Sequence, residues 1–317
     1  MDATVILSST PTERWELAAQ MGVERAATGL PREADDPCSF DALMRMQQRF
    51  ADAGFTVEAI EDRPAMNDAM TGGPARDEQI DEVCRMLENL GRVGIPTWCP
   101  AWMAEMNWLR TSTSVPARGG SLTSGYDHEL MQRGPPVGSV TEEELWENME
   151  HFLERVIPVA EDAGVKLAWH PDDPPLSPIR GVGRILTSVE NYDRLLSLYP
   201  SEYNGITLCQ GNFAAMGADI PETIRHFGEK IHYVHFRDVE GTPERFVEVW
   251  QDEGPTDMLA AMAAYHDVGY DGVMRPDHVP TMAGEDNSHP GYHDKGRLYA
   301  VGYMNGLIEA VRSGSIS

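Results

Sequence analysis

The stretch Asp162-Ala-Gly164-Val165-Lys-Leu-Ala-Trp-His170-Pro-Asp-Asp173 carries one complete change of structure. It closes an amphipathic helical run (Glu142–Ala163), puts Gly164 where a left-handed helix cap is expected, and passes into a short apolar run (Val165–Pro171) of strand length. A histidine then arrives at the strand's far end. The same phrase, a small or β-branched residue and glycine followed by an apolar run, returns at Asp52–Phe55, Arg92–Ile95 and Asp267–Tyr270. Its recurrence is the α-to-β joint of a repeated βα unit.

Working outward from that joint, strands are predicted at Thr4–Ser9, Val23–Leu30, Phe55–Asp62, Ile95–Trp102, Val165–Pro171, Gly205–Asn212, Ile231–Val239 and Gly272–His278. Helices are predicted between and after them, at Thr12–Met21, Phe40–Ala53, Asp77–Arg92, Glu142–Ala163, Val189–Leu198, Glu222–Phe227, Asp257–Val268 and Asp294–Val311. Thr141, three residues ahead of Glu144, reads as a capping box. Eight units give an α/β fold, a closed (β/α)8 TIM barrel, with residues 1–317 as one domain. A doubly wound sheet would normally show a glycine-rich turn after its first strand, and Ser8–Glu13 contains no glycine. One connection is unusual: residues 103–140, after the fourth strand, form an insertion too long for an ordinary βα loop. On a barrel it emerges at the C-terminal face, where active sites sit, and reads as a lid or as the contact of a homo-oligomer, with a disordered insertion as the alternative.

The 25 Lys and Arg residues against 51 Asp and Glu leave a net charge of −26, which repels phosphate backbones and anionic lipid. Nucleic-acid and membrane-surface partners are therefore not expected. The only lysines are Lys166, Lys230 and Lys295, and the charge pattern fits either adaptation to high salt or an acidic cytosolic enzyme. Four cysteines are too few for a disulfide framework, and no run is apolar and long enough to span a membrane. With no leader-like segment at Met1–Ser9, a cytoplasmic protein with reduced thiols is expected.

The chemistry concentrates at the C-terminal ends of strands five to eight. There the sequence reads Trp-His170-Pro-Asp172, Leu-Cys209-Gln-Gly-Asn212, Val-His235-Phe-Arg237-Asp238 and Met-Arg275-Pro-Asp277-His278. A lone strand cysteine is usually a small buried hydrophobe and a lone barrel histidine a core group. Four donors at equivalent places on successive strands, about 4.8 Å apart, are another matter: His170, Cys209, His235 and Asp277 form a candidate site for a divalent metal. The mixed ligand set suits Mn2+, Fe2+, Co2+ or Zn2+. His278 and Tyr292 flank it and are suited to proton transfer. Arg110, Arg237 and Arg275 stand near strand ends and suit a substrate carboxylate, Arg275 equally an internal ion pair. Trp108, Asp172, Asn212 and Glu61 complete the candidate substrate contacts.

At these residues the chain resembles the mannonate dehydratase family of the xylose-isomerase-like barrels. The resemblance is carried by His170-Pro-Asp-Asp-Pro-Pro, Leu208-Cys-Gln-Gly-Asn, Val234-His-Phe-Arg-Asp, Arg275-Pro-Asp-His, and Pro290-Gly-Tyr followed by Gly302-Tyr-Met-Asn-Gly-Leu. Trp108-Leu-Arg-Thr is similar to the family's Trp-x-Arg-Thr, and the match is continuous from Trp146 to Ala310. It implies conversion of D-mannonate to 2-keto-3-deoxy-D-gluconate and water, with Mn2+ or Fe2+ on His170, Cys209, His235 and Asp277 and acid and base roles for His278 and Tyr292. Where the family carries a histidine before the seventh helix, this chain reads Val247-Glu-Val-Trp250. Two other functions compete: a metal-dependent sugar isomerase or epimerase, which would have less use for Arg110 and Arg237, and a non-catalytic sugar-acid-binding protein, which would have no need of His278 and Tyr292.

Overall fold

The computed structural model describes residues 1–314. Its first strand is broken into Asp2–Ala3 and Ile6–Leu7, and these two pieces close the barrel. Asp2 and Ala3 pair in parallel with Val273 and Met274 of the last barrel strand, whereas Ile6 and Leu7 pair in parallel with Ala27 and Thr28 of the second. Between them the order runs Arg25–Thr28, Thr56–Ile60, Thr97–Trp98, Lys166–Trp169, Asn204–Cys209, Ile231–His235 and Val273–Arg275, every pairing parallel. The sheet thus returns to its own edge as an eight-stranded α/β barrel.

The helical expectations meet the structure closely, and Glu142–Ala163 and Val189–Leu198 agree residue for residue. Thr141 and Glu144 form the capping box, with Glu144 N donating to Thr141 Oγ1 and Thr141 N to Glu144 Oε2. Gly54, Gly94, Gly164 and Gly269 all sit at positive φ, between +69° and +86°, as turns of this kind demand. Strands are shorter than predicted at their C-terminal ends. The sixth stops at Cys209, where a short helix (Gln210–Ala215) begins, and the eighth stops at Arg275, leaving Asp277 and His278 in the loop. Beyond the hydrogen-bond ladder the chain stays buried although it is polar, as at Gln210, Asn212, Asp277 and His278, so burial outlasts strand pairing.

Small side chains fill the barrel's interior, with Ala27, Ala59, Cys99, Ala168 and Val273 packed around Tyr233. Outside the sheet, Trp102 and Trp169 meet Phe152 of the long helix and each other, and Trp98 meets Trp169, in edge and tilted contacts with ring centroids 5.1 to 6.4 Å apart. Each such buried large side chain contributes roughly 2 to 3 kcal/mol relative to exposure. Among the described residues no helix is long and apolar enough to cross a membrane.

The insertion is ordered. Ser112–Pro116 and Leu122–Asp127 form an antiparallel pair, and Leu122–Asp127 also pairs with Arg245–Glu248, which in turn pairs with Val239–Thr242. This four-stranded sheet joins the excursion after strand four to a second one after strand seven. Period alone predicts a strand only as far as Val239 and nothing from there to Asp257, because a hairpin of four-residue strands is too short to show a period.

At the opposite end of the barrel His232 is 8% exposed, and its Nδ1 lies 2.6 Å from the carbonyl of Leu167. A side chain on Gly205 would strike this ring, with a Cβ only 2.3 Å from Cε1. Burial pushes the imidazole down to about 4. The folded state thus keeps it neutral while the unfolded chain protonates below about 6.5, so stability is full above that pH and is lost as pH falls towards 4. The whole shift corresponds to roughly 3 kcal/mol. We expect urea midpoints measured from pH 7 to pH 4.5 to fall less steeply for His232→Gln than for the wild type; parallel curves would show that another group governs the acid limb.

Candidate active site

Register places the four donors. His235 pairs with Cys209 on one side and with Arg275 on the other, and His170 follows Trp169 in a bridge to Ala101. One ligand atom from each of His170, Cys209, His235 and Asp277 lies within 4.8 Å of all the others. His170 Nε2 is 3.1 Å from His235 Nδ1, which is 3.6 Å from Asp277 Oδ2, and Cys209 Sγ is 3.8 Å from that oxygen. Of the other ring nitrogens, His170 Nδ1 is held from behind, 2.7 Å from the carbonyl of Pro171, whereas His235 Nε2 only approaches Glu61 Oε2, at 3.4 Å. A proton on His170 Nδ1 leaves the Nε2 lone pair facing the cluster, the orientation that carbonyl and carboxylate partners impose on metal-binding histidines.

The arginines surround this group in ion pairs. Arg237 reaches Glu248 (2.6 Å), Asp173 (2.9 Å) and Asp277 (2.9 Å), and its Nε donates to Cys209 Sγ at 3.2 Å. Arg275 grips Glu61 with both edges and Asp277 at 2.9 Å, and Arg110 crosses from the insertion to Asp173 and Glu248, each at 2.5 Å. Burial alone would raise these carboxyl groups. The guanidinium groups overcome it for three of them, holding Glu248 down to about 2 and keeping Asp173 and Glu61 below the usual carboxylate range, while His278 and then Arg275 do the same for Asp277. Four carboxylates therefore face three guanidinium groups. Coordination of an ion by Cys209 as a thiolate would bring the surplus to two negative charges, which one divalent cation cancels, so donor types, spacing and charge balance all fit such an ion.

Beside the donors, Tyr292 Oη lies 3.2 Å from His278 Nε2, and His278 Nδ1 lies 2.9 Å from Glu248 Oε1. Burial, reinforced by Asp277, pushes the Tyr292 hydroxyl well above its ordinary range, so it is protonated at neutral pH. Gly291 permits this approach: it sits at φ +87°, and a Cβ there would come within 3.0 Å of His278 Cδ2. Trp108 covers the imidazole at 5.3 Å between ring centroids.

A cavity of about 170 Å³ lies over this constellation, with Glu61, Trp108, His170, Asp277, His278 and Tyr292 in its wall. Among the expected substrate contacts, Trp108 and Glu61 reach that wall, whereas Arg110, Arg237, Asp172 and Asn212 lie behind it. Their polar groups are already used. Asn212 binds Arg237 and the carbonyl of Asp172, and Asp172 accepts from the backbone of Ile185 and Leu186. Two residues were not anticipated. Asp173 is the acid of the quoted stretch that faces the cavity, and Glu248 ties His278 to Arg110 and Arg237. The signal for Glu248 was an acid sharing a strand face with buried Phe246.

The family model described as D-mannonate dehydratase (UxuA) matches residues 16–138 and 136–316. A mannonate dehydratase of Thermotoga maritima is 36% identical, with 86% of each chain covered, and mannonate dehydratase 2 of Halalkalibacterium halodurans is 34% identical over 86% of this chain and 88% of that one. The crystal structure of mannonate dehydratase from Streptococcus suis serotype 2 superposes with a TM-score of 0.89 at 30% identity, covering 99% of this chain and 94% of that one. Barrel, donor cluster and His278–Tyr292 pair thus stand in a chain matched along nearly its whole length, and it belongs to the D-mannonate dehydratase family of hydro-lyases.

Proposed function

We propose that the chain converts D-mannonate to 2-keto-3-deoxy-D-gluconate and water, using a divalent metal, Mn2+ or Fe2+, held by His170, Cys209, His235 and Asp277. The observation that supports it best is the pairing of a charge-balanced donor cluster with a linked His278–Tyr292 pair on one small cavity. An ion bound by these four residues would supply Lewis acidity for negative charge on the substrate's oxygens. His278 is the base: Glu248 accepts from Nδ1–H, which turns the Nε2 lone pair towards the cavity. Tyr292, kept protonated by burial, is the acid that gives its proton to the departing C3 hydroxyl, and the imidazolium 3.2 Å away restores it. The enol product then tautomerises to the 2-keto acid. Trp108 roofs the imidazole and limits water beside it.

The enzyme acts in the cytoplasm on a small sugar acid, with no nucleic-acid partner, and the insertion sheet supplies the contact of a homo-oligomer. The four cysteines are unpaired, which suits a reducing compartment. The test is product formation from D-mannonate by metal-stripped protein with and without added Mn2+ or Fe2+, in low and molar salt. Formation of the 2-keto-3-deoxy acid only on adding metal is expected. Equal rates without metal, or none with any metal, would overturn the assignment.

A further inference from the structure

Counting backbone and side chain together, four arginines among the described residues are buried: Arg184, Arg237, Arg275 and Arg297. The first three are matched to carboxylates, Arg184 to Asp172 at 3.4 Å and the others as described above. Arg297 is different. It stands in the first turn of the last helix (Asp294–Arg312), 6% exposed, and its guanidinium donates a single long bond, Nη1 to the carbonyl of Ile6 at 3.4 Å. Among the described residues no carboxylate oxygen lies within 4.0 Å of it. Asp294, one turn earlier, is taken by Arg14 at 2.9 Å, and Glu61 is taken by Arg275.

This cation is aimed at the site. It lines the outer mouth, a space of about 950 Å³ that shares Glu61, Asn107, Trp108 and Tyr292 with the inner cavity. Its guanidinium carbon is 5.5 Å from the centre of the Tyr292 ring. Burial, with Arg14 and Arg275 nearby, lowers it only to about 10, so it remains charged at neutral pH. A charge withdrawn from water without a counter-charge is costly unless a ligand supplies one. Glu13 at the rim is exposed and solvated, and offers little compensation.

We propose that Arg297 receives the carboxylate of the sugar acid and makes this cavity select an acid over the polyol of the same stereochemistry. Arg110, Arg237 and Arg275 have spent their edges on internal carboxylates, whereas Arg297 keeps a planar fork for a bidentate partner. It also gives an anion a local attraction on a protein of net charge −26. The proposal rests on reading the cavity as a sugar-acid site, and its test separates the two.

The experiment is calorimetric titration of the purified, metal-containing enzyme with D-gluconate and with D-glucitol, which differ only at C1. The wild type is expected to bind the acid more tightly. Arg297→Gln should lose about 10- to 100-fold in gluconate affinity with glucitol binding unchanged, and Arg297→Lys should recover part of it. Equal wild-type binding of the two ligands would overturn the proposal whether or not a variant folds. So would an Arg297→Gln protein that weakens both ligands alike, the mark of a residue that only ties the last helix to the first strand. Selective gluconate binding through Arg297 in an enzyme inactive on D-mannonate would sink the reaction assignment and leave this one standing.

Discussion

Cys209→Ser protein is expected to fold as the wild type does, to carry less than a tenth of an equivalent of metal after dialysis, and to turn over D-mannonate about a thousandfold more slowly. The substitution is nearly isosteric and the site is fully buried, so packing changes little. What changes is charge. Cys209 Sγ, which faces Arg237 Nε at 3.2 Å, would as a metal-bound thiolate contribute one of the two negative charges that balance a divalent ion, whereas a serine hydroxyl would not. The cluster is left one charge short, and the dication must sit among three guanidinium groups without that compensation. Elemental analysis of the dialysed protein, thermal unfolding and a rate measurement in excess Mn2+ separate the parts: metal content and rate should fall together, while unfolding of the metal-free proteins should coincide. A full equivalent of metal with a wild-type rate would remove Cys209 from the donor set.

The charge balance around Cys209 is visible only in the folded molecule, whereas the barrel is legible in the sequence. The βα joints at Gly54, Gly94, Gly164 and Gly269 are local events, each written within a few residues, and eight apolar runs separated by amphipathic helices admit one closed solution. The four donors were legible for a related reason: strand ends in a parallel barrel are equivalent positions, so residues at the ends of successive strands must converge. Contacts between excursions are not local. Glu248 lies on a four-residue strand whose partner is in the insertion more than a hundred residues earlier, and nothing in its own neighbourhood says that it will meet His278. The arginines show the same limit. Sequence places Arg110, Arg237 and Arg275 near strand ends, but which arginines at the mouth are neutralised depends on the side chains opposite: these three are, and Arg297 is not.

The second large effect separates proton transfer from metal binding. His278→Asn and Tyr292→Phe should each lower turnover by about 10²- to 10⁴-fold while leaving metal content at the wild-type level, because neither side chain belongs to the donor cluster. Their combination is the sharper measurement. If the Tyr292 hydroxyl and His278 Nε2, 3.2 Å apart, pass one proton between C2 and the departing hydroxyl, removing either breaks the same path. The double variant should then cost little more than the worse single one. Costs that multiply would mean that the two groups act independently, and the return of the proton from His278 to Tyr292 would fail. Glu248→Gln cannot replace this test. Glu248 also neutralises Arg110 and Arg237, so its loss would leave two buried cations under-compensated and lower stability together with rate. Tyr292→Phe avoids that confusion, since it removes one oxygen and leaves every ion pair beneath it in place.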